Sequence, residues 1–86
     1  MGGRVDALLQ LADVAFLRGN FLQSRAFVER FFAATDANSQ ALWIGYRVEN
    51  ELGDVATANG YANQLLQNFP ESVETRLLLE QRRNAG

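Results

Sequence analysis

"LGDVATANGYANQLLQNFPES", residues 52–72, decides how this chain is read. It opens on a Gly-Asp turn, continues with small residues at helical spacing, and closes on the only proline of the sequence. "RGNFLQSRAFVERFFAATDAN", residues 18–38, has the same outline. Shifted by 34 residues, Gly19 falls on Gly53, Asn20 on Asp54, Phe21 on Val55, Ser24 on Ala58 and Phe27 on Tyr61. Phe31 and Phe32 fall on Leu65 and Leu66, and upstream Ala7 and Leu8 fall on Ala41 and Leu42. The matches keep size and polarity more than identity, and a period of 34 is that of a helix–turn–helix repeat.

Working outward from the turns gives five helices. The first covers about Val5 to Arg18, with Asp6, Gln10 and Asp13 in one narrow polar stripe. A helix apolar on most of its circumference is expected to pack on more than one side. Gly19 can take the left-handed conformation that ends a helix. The second helix covers about Phe21 to Ala34 and turns Phe21, Val28, Phe31 and Phe32 towards a core. The polar loop Thr35–Ser39 offers an N-cap to a third helix, which runs to about Leu52. A fourth runs from about Val55 to Asn68, and Pro70 prevents its continuation. Ser72 can cap a fifth, carrying Val73, Leu77 and Leu78, that frays into Arg82–Gly86. No segment alternates with period 2 for long enough to make a sheet.

The expectation is one all-α domain over residues 1–86. Repeat one spans about 5–37, repeat two about 38–71, and a C-terminal capping helix about 72–83. Eighty-six residues at 48% hydrophobic suit one small globular core. The opening residues run at once into an amphipathic pattern and do not read as a signal peptide.

Several chemistries lack their usual residues. The chain has no Cys, no His and no Lys. Disulfides, thiol nucleophiles and the commonest acid–base and metal-binding side chain are therefore missing. Glu49 and Glu51 sit on a helix too far apart in angle to chelate together, and no carboxylate group is completed into a metal site. A net charge of −2 opposes nucleic-acid binding, which needs a concentrated basic face. The reading is a non-catalytic protein with no cofactor and no metal.

The 34-residue unit resembles the tetratricopeptide repeat. The residues that carry the likeness are Leu8, Leu11, Ala12, Gly19, Asn20 and Phe21, then Leu42, Gly53, Asp54, Ala58 and Pro70. Ser24 stands where the family favours Ala, Asp36 where it favours Pro, and Gly45 brings the small residue one position early. The resemblance implies a right-handed α-α superhelix of two helix hairpins plus a capping helix, acting by binding. A closer resemblance is to the type IV pilus biogenesis/stability lipoproteins, the PilF/PilW group of pilotins. It rests on Ala41-Leu42-Trp43-Ile44-Gly45-Tyr46-Arg47, Leu52-Gly53-Asp54, Tyr61-Ala62, Gln64-Leu65 and Phe69-Pro70-Glu71-Ser72, and covers about Leu8 to Glu80. It implies the C-terminal part of a longer array on the periplasmic side of a Gram-negative outer membrane. Contact with the membrane would be only through an N-terminal lipid anchor outside this chain. The partner would be the pilus secretin, whose localisation and multimerisation such a protein promotes. The alternative is a general tetratricopeptide adaptor for a peptide or protein in another process.

By repeat position the concave, partner-binding face comprises Asp6, Leu9, Asp13 and Phe16 from the first unit. Gln40, Trp43, Arg47 and Asn50 come from the second. Trp43 and Arg47 are four apart and share a helix face, and Trp and Arg are frequent hot-spot residues. The simpler reading, which the residues alone favour, puts Trp43 in the core and makes Arg47 a solvated or capping residue. The four phenylalanines Phe21, Phe27, Phe31 and Phe32 read as core. Val5, Leu8, Ala12 and Ala15 are expected to be bare on the outer side of the first helix, and to drive self-association.

Overall fold

A computed structural model describes residues 2–85, as five helices: α1 (Gly2–Leu17), α2 (Phe21–Ala34), α3 (Ser39–Leu52), α4 (Val55–Asn68) and α5 (Val73–Ala85). No strand occurs among the described residues, and the fold is all-α. Met1 and Gly86 lie outside them. The ends of α2 and α4 agree with the sequence reading. α1 begins before Val5, at Gly2, and α5 continues in helical form through Arg82–Ala85, where fraying was expected.

The turns explain where helices stop. Gly19 and Gly53 take φ of 79° and 82°, a region open to glycine at little steric cost. The Asn20 N–H donates to the Ala15 carbonyl and the Gly19 N–H to Phe16, while Asp54 and Gly53 donate to Glu49 and Asn50. Both are Schellman closures. Asn20 makes no side-chain cap to α2, but α3, α4 and α5 start on side-chain caps: Asn38 accepts from the Ala41 N–H at 2.8 Å, Asp54 from Thr57 at 3.1 Å and Ser72 from Thr75 at 3.0 Å. Each cap satisfies one of the donors a helix start leaves unpaired.

The core has two parts that share α3. Leu9 and Ala12 of α1, Val28 and Phe31 of α2, and Ala41, Ile44 and Val48 of α3 form the first. Leu42 and Tyr46 of α3, Ala58, Ala62 and Leu65 of α4, and Leu78 of α5 form the second. α3 thus packs against α1 and α2 on one side and α4 and α5 on the other. The fifth helix takes towards α3 and α4 the place that α3 takes towards α1 and α2. Each large aliphatic or aromatic side chain removed from water contributes roughly 1.5–3 kcal/mol before entropy is counted. The radius of gyration, 12.2 Å, is near the roughly 12 Å of a well-packed chain of this length.

Two polar side chains knit the helices at depth. The buried Ser24 hydroxyl donates to the Ala12 carbonyl at 2.7 Å, joining α2 to α1. The buried Thr75 hydroxyl reaches the Phe69 carbonyl at 2.7 Å and Leu65 at 3.2 Å, so α5 closes the C-terminal end of α4. Gly45 has a steric role: a Cβ there would lie 2.8 Å from Cε2 of Tyr61. The early small residue is what lets the Tyr61 ring lie on α3.

The outer side of α1 differs from expectation. Ala12 and Ala15 are buried, and Val5 and Leu8 are half-buried, since they turn towards α2 and the first core. The large apolar residues exposed on α1 are instead Leu11, Val14 and Leu17. Of the four phenylalanines, Phe31 is buried and Phe21, Phe27 and Phe32 are half-buried.

Candidate functional site

The expected site residues divide by helix position. Leu9 is a core residue in contact with α2 and α3 side chains, so it offers nothing to a partner. Asp6, Gln40 and Asn50 are exposed. Asp13, Phe16, Trp43 and Arg47 come together where α1 meets α3. Phe16 follows Asp13 by one helical turn, as Arg47 follows Trp43, so each helix presents two side chains to the same seam.

Arg47 organises this cluster. Its guanidinium carbon lies 4.7 Å from the Phe16 ring centroid and 4.9 Å from that of Trp43. Nη2 is 3.7 Å from Asp13 Oδ1. The Arg47 side chain keeps 22% of its exposure, so the cation is largely enclosed but still reachable. Its Nε is buried with no hydrogen-bond partner. Burial pushes the Arg47 pKa down from its ordinary value, with the Asp13 carboxylate opposing; the group still stays charged at any physiological pH. The long, half-exposed contact with Asp13 adds little stability. Stacking on two rings, worth about 1 kcal/mol or more for each desolvated face, holds the guanidinium more firmly.

The stack extends beyond the expected residues. Trp43 lies parallel to Tyr46, with centroids 5.9 Å apart and planes 14° apart. Arg82 of α5 lies over Tyr46 at 5.7 Å and donates to Asn59 Oδ1 at 3.3 Å. A ladder Phe16–Arg47–Trp43–Tyr46–Arg82 therefore crosses α1, α3 and α5. Trp43 is half-buried and packs against the second core, and Arg47 is clamped between rings rather than free in solvent. Tyr46 and Arg82 escaped the sequence reading because their meeting depends on how α5 seats on α3.

A second missed feature lies between α2 and α3. Arg25 makes a two-pronged contact with Glu49, with Nε donating to Oε2 at 2.9 Å and Nη2 to Oε1. Glu49 is 3% exposed and the Arg25 side chain 31%. The pairing raises the Arg25 pKa. Its signal was available: shifted by 34 residues, Glu49 falls on Ala15, a buried small-residue position. A carboxylate there needs a partner.

The described residues include no group of three or more acidic, His or Cys side chains placed to hold a metal ion. None of their helices is long and apolar enough to cross a membrane. Comparison with protein-family models, with curated proteins and with solved structures finds no significant match to this chain.

Proposed function

We propose that the chain is a non-catalytic protein-interaction module. Its helices would follow the right-handed tetratricopeptide superhelix, with α1, α3 and α5 lining the concave face. The packing relation repeated from α3 to α5, and the twin Schellman turns 34 residues apart, support that architecture. The observation that carries the function is the Arg47 clamp. An arginine fixed between Phe16 and Trp43, partly open to solvent, offers hot-spot side chains already held in place. A partner that docks on them need order fewer side chains, and preorganisation of this kind favours affinity.

The partner proposed is the pilus secretin, with the protein held on the periplasmic side of the outer membrane by a lipid anchor in a segment that precedes these residues. The Gly45-Tyr46-Arg47 run on which the resemblance rests has a physical role at each position. Gly45 admits Tyr61, Tyr46 extends the stack, and Arg47 is the clamp. The test is binding of the purified chain to the periplasmic part of a secretin by calorimetry, with Trp43→Ala and Arg47→Ala compared. Tenfold or greater weakening by each variant is expected. Absence of binding by the parent chain removes the secretin. Undiminished binding by both variants removes the site.

A further inference from the structure

The internal repeat shows what belongs on the outer face of α1. On α3, Ala41, Ile44, Val48 and Leu52 turn towards the first hairpin and are covered by its helices. Thirty-four residues earlier the corresponding positions hold Ala7, Gln10 and Val14 on α1 and Arg18 just past its end, and all four are exposed. Leu11 lies among them, 48% exposed, with Val14 at 45%. Arg4, Ala7, Leu11, Val14 and Arg18 follow one another at alternating spacings of three and four, which places them along a single seam of the helix. Beside the seam a shallow groove of about 120 Å³ runs between α1 and α2, with Leu11, Val14, Gln23 and Phe27 among its walls.

The charges around this groove are of one sign. Arg4 and Arg18 stand at the two ends of the seam, and the Arg30 guanidinium lies over Phe27, 5.7 Å from its centroid. Asp6 and Asp13 lie about 140–160° from Leu11 and about 80–100° from Val14 around α1, on the side away from the groove walls, and Glu29 is on the far side of α2 from Phe27. A symmetric antiparallel pairing of two copies through this seam would bring Arg4 of each against Arg18 of the other. Like charges in contact oppose such a dimer. The polar positions Gln10 and Arg18, where α3 carries Ile44 and Leu52, also suit a face that is reversibly covered better than one buried for good.

We infer that the outer face of α1 and α2 docks an amphipathic α-helix of a partner protein, with its apolar stripe on Leu11 and Val14 and flanking Glu or Asp residues against Arg4, Arg18 and Arg30. This face is separate from the Arg47 clamp; a helix of the chain's own preceding segment seated on it, seen as protection of Leu11 and Val14 in a longer chain, overturns the inference.

The probes are two synthetic helices of about three heptads with Leu at the a and d positions. One carries Glu at the flanking positions and the other Lys. Each is titrated into the isotopically labelled chain and followed by amide chemical shifts. The Glu-flanked helix is expected to shift Leu11, Val14, Gln23 and Phe27 saturably and to bind about tenfold tighter than the Lys-flanked one. Salt should narrow that gap. The double variant Arg4→Glu/Arg18→Glu changes exposed positions only, should keep the circular dichroism of the parent, and should reverse the preference. Leu11→Asp should abolish the response to the Glu-flanked helix. The inference is overturned if neither helix shifts the face, if both bind equally, or if the shifts fall around Phe16 and Trp43. A dimer in sedimentation that Leu11→Asp dissolves overturns it as well, by making a second copy the occupant.

Discussion

Gly45→Ala tests the packing of α3 on α4 by setting two effects of opposite sign against each other. Alanine in a helix interior is favoured over glycine by about 1 kcal/mol. At this position the added methyl would lie 2.8 Å from Cε2 and 2.9 Å from Cδ2 of Tyr61, closer than carbon atoms approach. The Tyr61 ring is not free to swing away, because it is half-buried and packs on Phe32 with centroids 5.5 Å apart. Overpacking of a fitted core costs about 1–3 kcal/mol. The steric term therefore wins or at least cancels, and Gly45→Ala should leave stability unchanged or lower it by up to about 2 kcal/mol. The double variant separates the terms. With Tyr61→Ala already in place the clash is gone, and Gly45→Ala should then stabilise by about 1 kcal/mol. The assay is urea unfolding followed by circular dichroism and by Trp43 fluorescence. In thermal melts of a chain this size each kcal/mol moves Tm by about 4–8 °C. Stabilisation by about 1 kcal/mol in both backgrounds would mean no coupling, and would refute the claim that Gly45 exists to seat Tyr61.

The Arg25–Glu49 pair should respond unequally to its two halves: Arg25→Ala strands a buried carboxylate and should cost about 2–4 kcal/mol in urea unfolding, while Glu49→Gln leaves an arginine that can turn to solvent and should cost less. Thr75→Val removes the hydroxyl that closes α4 while keeping volume, and a loss of about 1–3 kcal/mol is expected, read by the same melts. The Asp54 carboxyl is held below its ordinary pKa because it accepts from the Thr57 hydroxyl and N–H. Its contribution is present above the unfolded pKa of about 4 and is lost as pH falls through the lower folded value. Asp54→Asn should accordingly flatten the acid limb of a stability–pH curve below about pH 4. Burial raises the Tyr61 phenol above its ordinary value, with the carboxylates of Glu49 and Glu29 adding to the shift. Stability from this source is present below about pH 10 and is lost as the pH rises through the folded value, so Tyr61→Phe should be less sensitive to alkali.

How much of this was legible in the sequence depends on the range over which each signal acts. Turns and caps are local. Gly19 and Gly53 end helices through their own backbone freedom, and Asn38, Asp54 and Ser72 cap through atoms three residues away, so helix ends were readable to within a few residues. Which face of α1 is buried was less readable, because apolar residues surround most of that helix. Ala12 and Ala15 lie on the buried side and Leu11 and Val14 do not, and only the placement of α2 decides between them. Small side chains allow the close approach of two helices; larger ones at the neighbouring angle are left outside. The same logic applies to the clamp. Spacing could put Trp43 and Arg47 on one face, but the choice between core and solvent belonged to Phe16 and Asp13 on another helix. Glu49 shows that a local rule broken without visible compensation is itself a signal. A charged residue where the repeat wants alanine implied a partner across the α2–α3 interface, and Arg25 stands where Asn59 stands in the second unit. The first unit therefore spends an arginine on its neighbour's carboxylate, which ties α2 to α3 by charge as well as by packing.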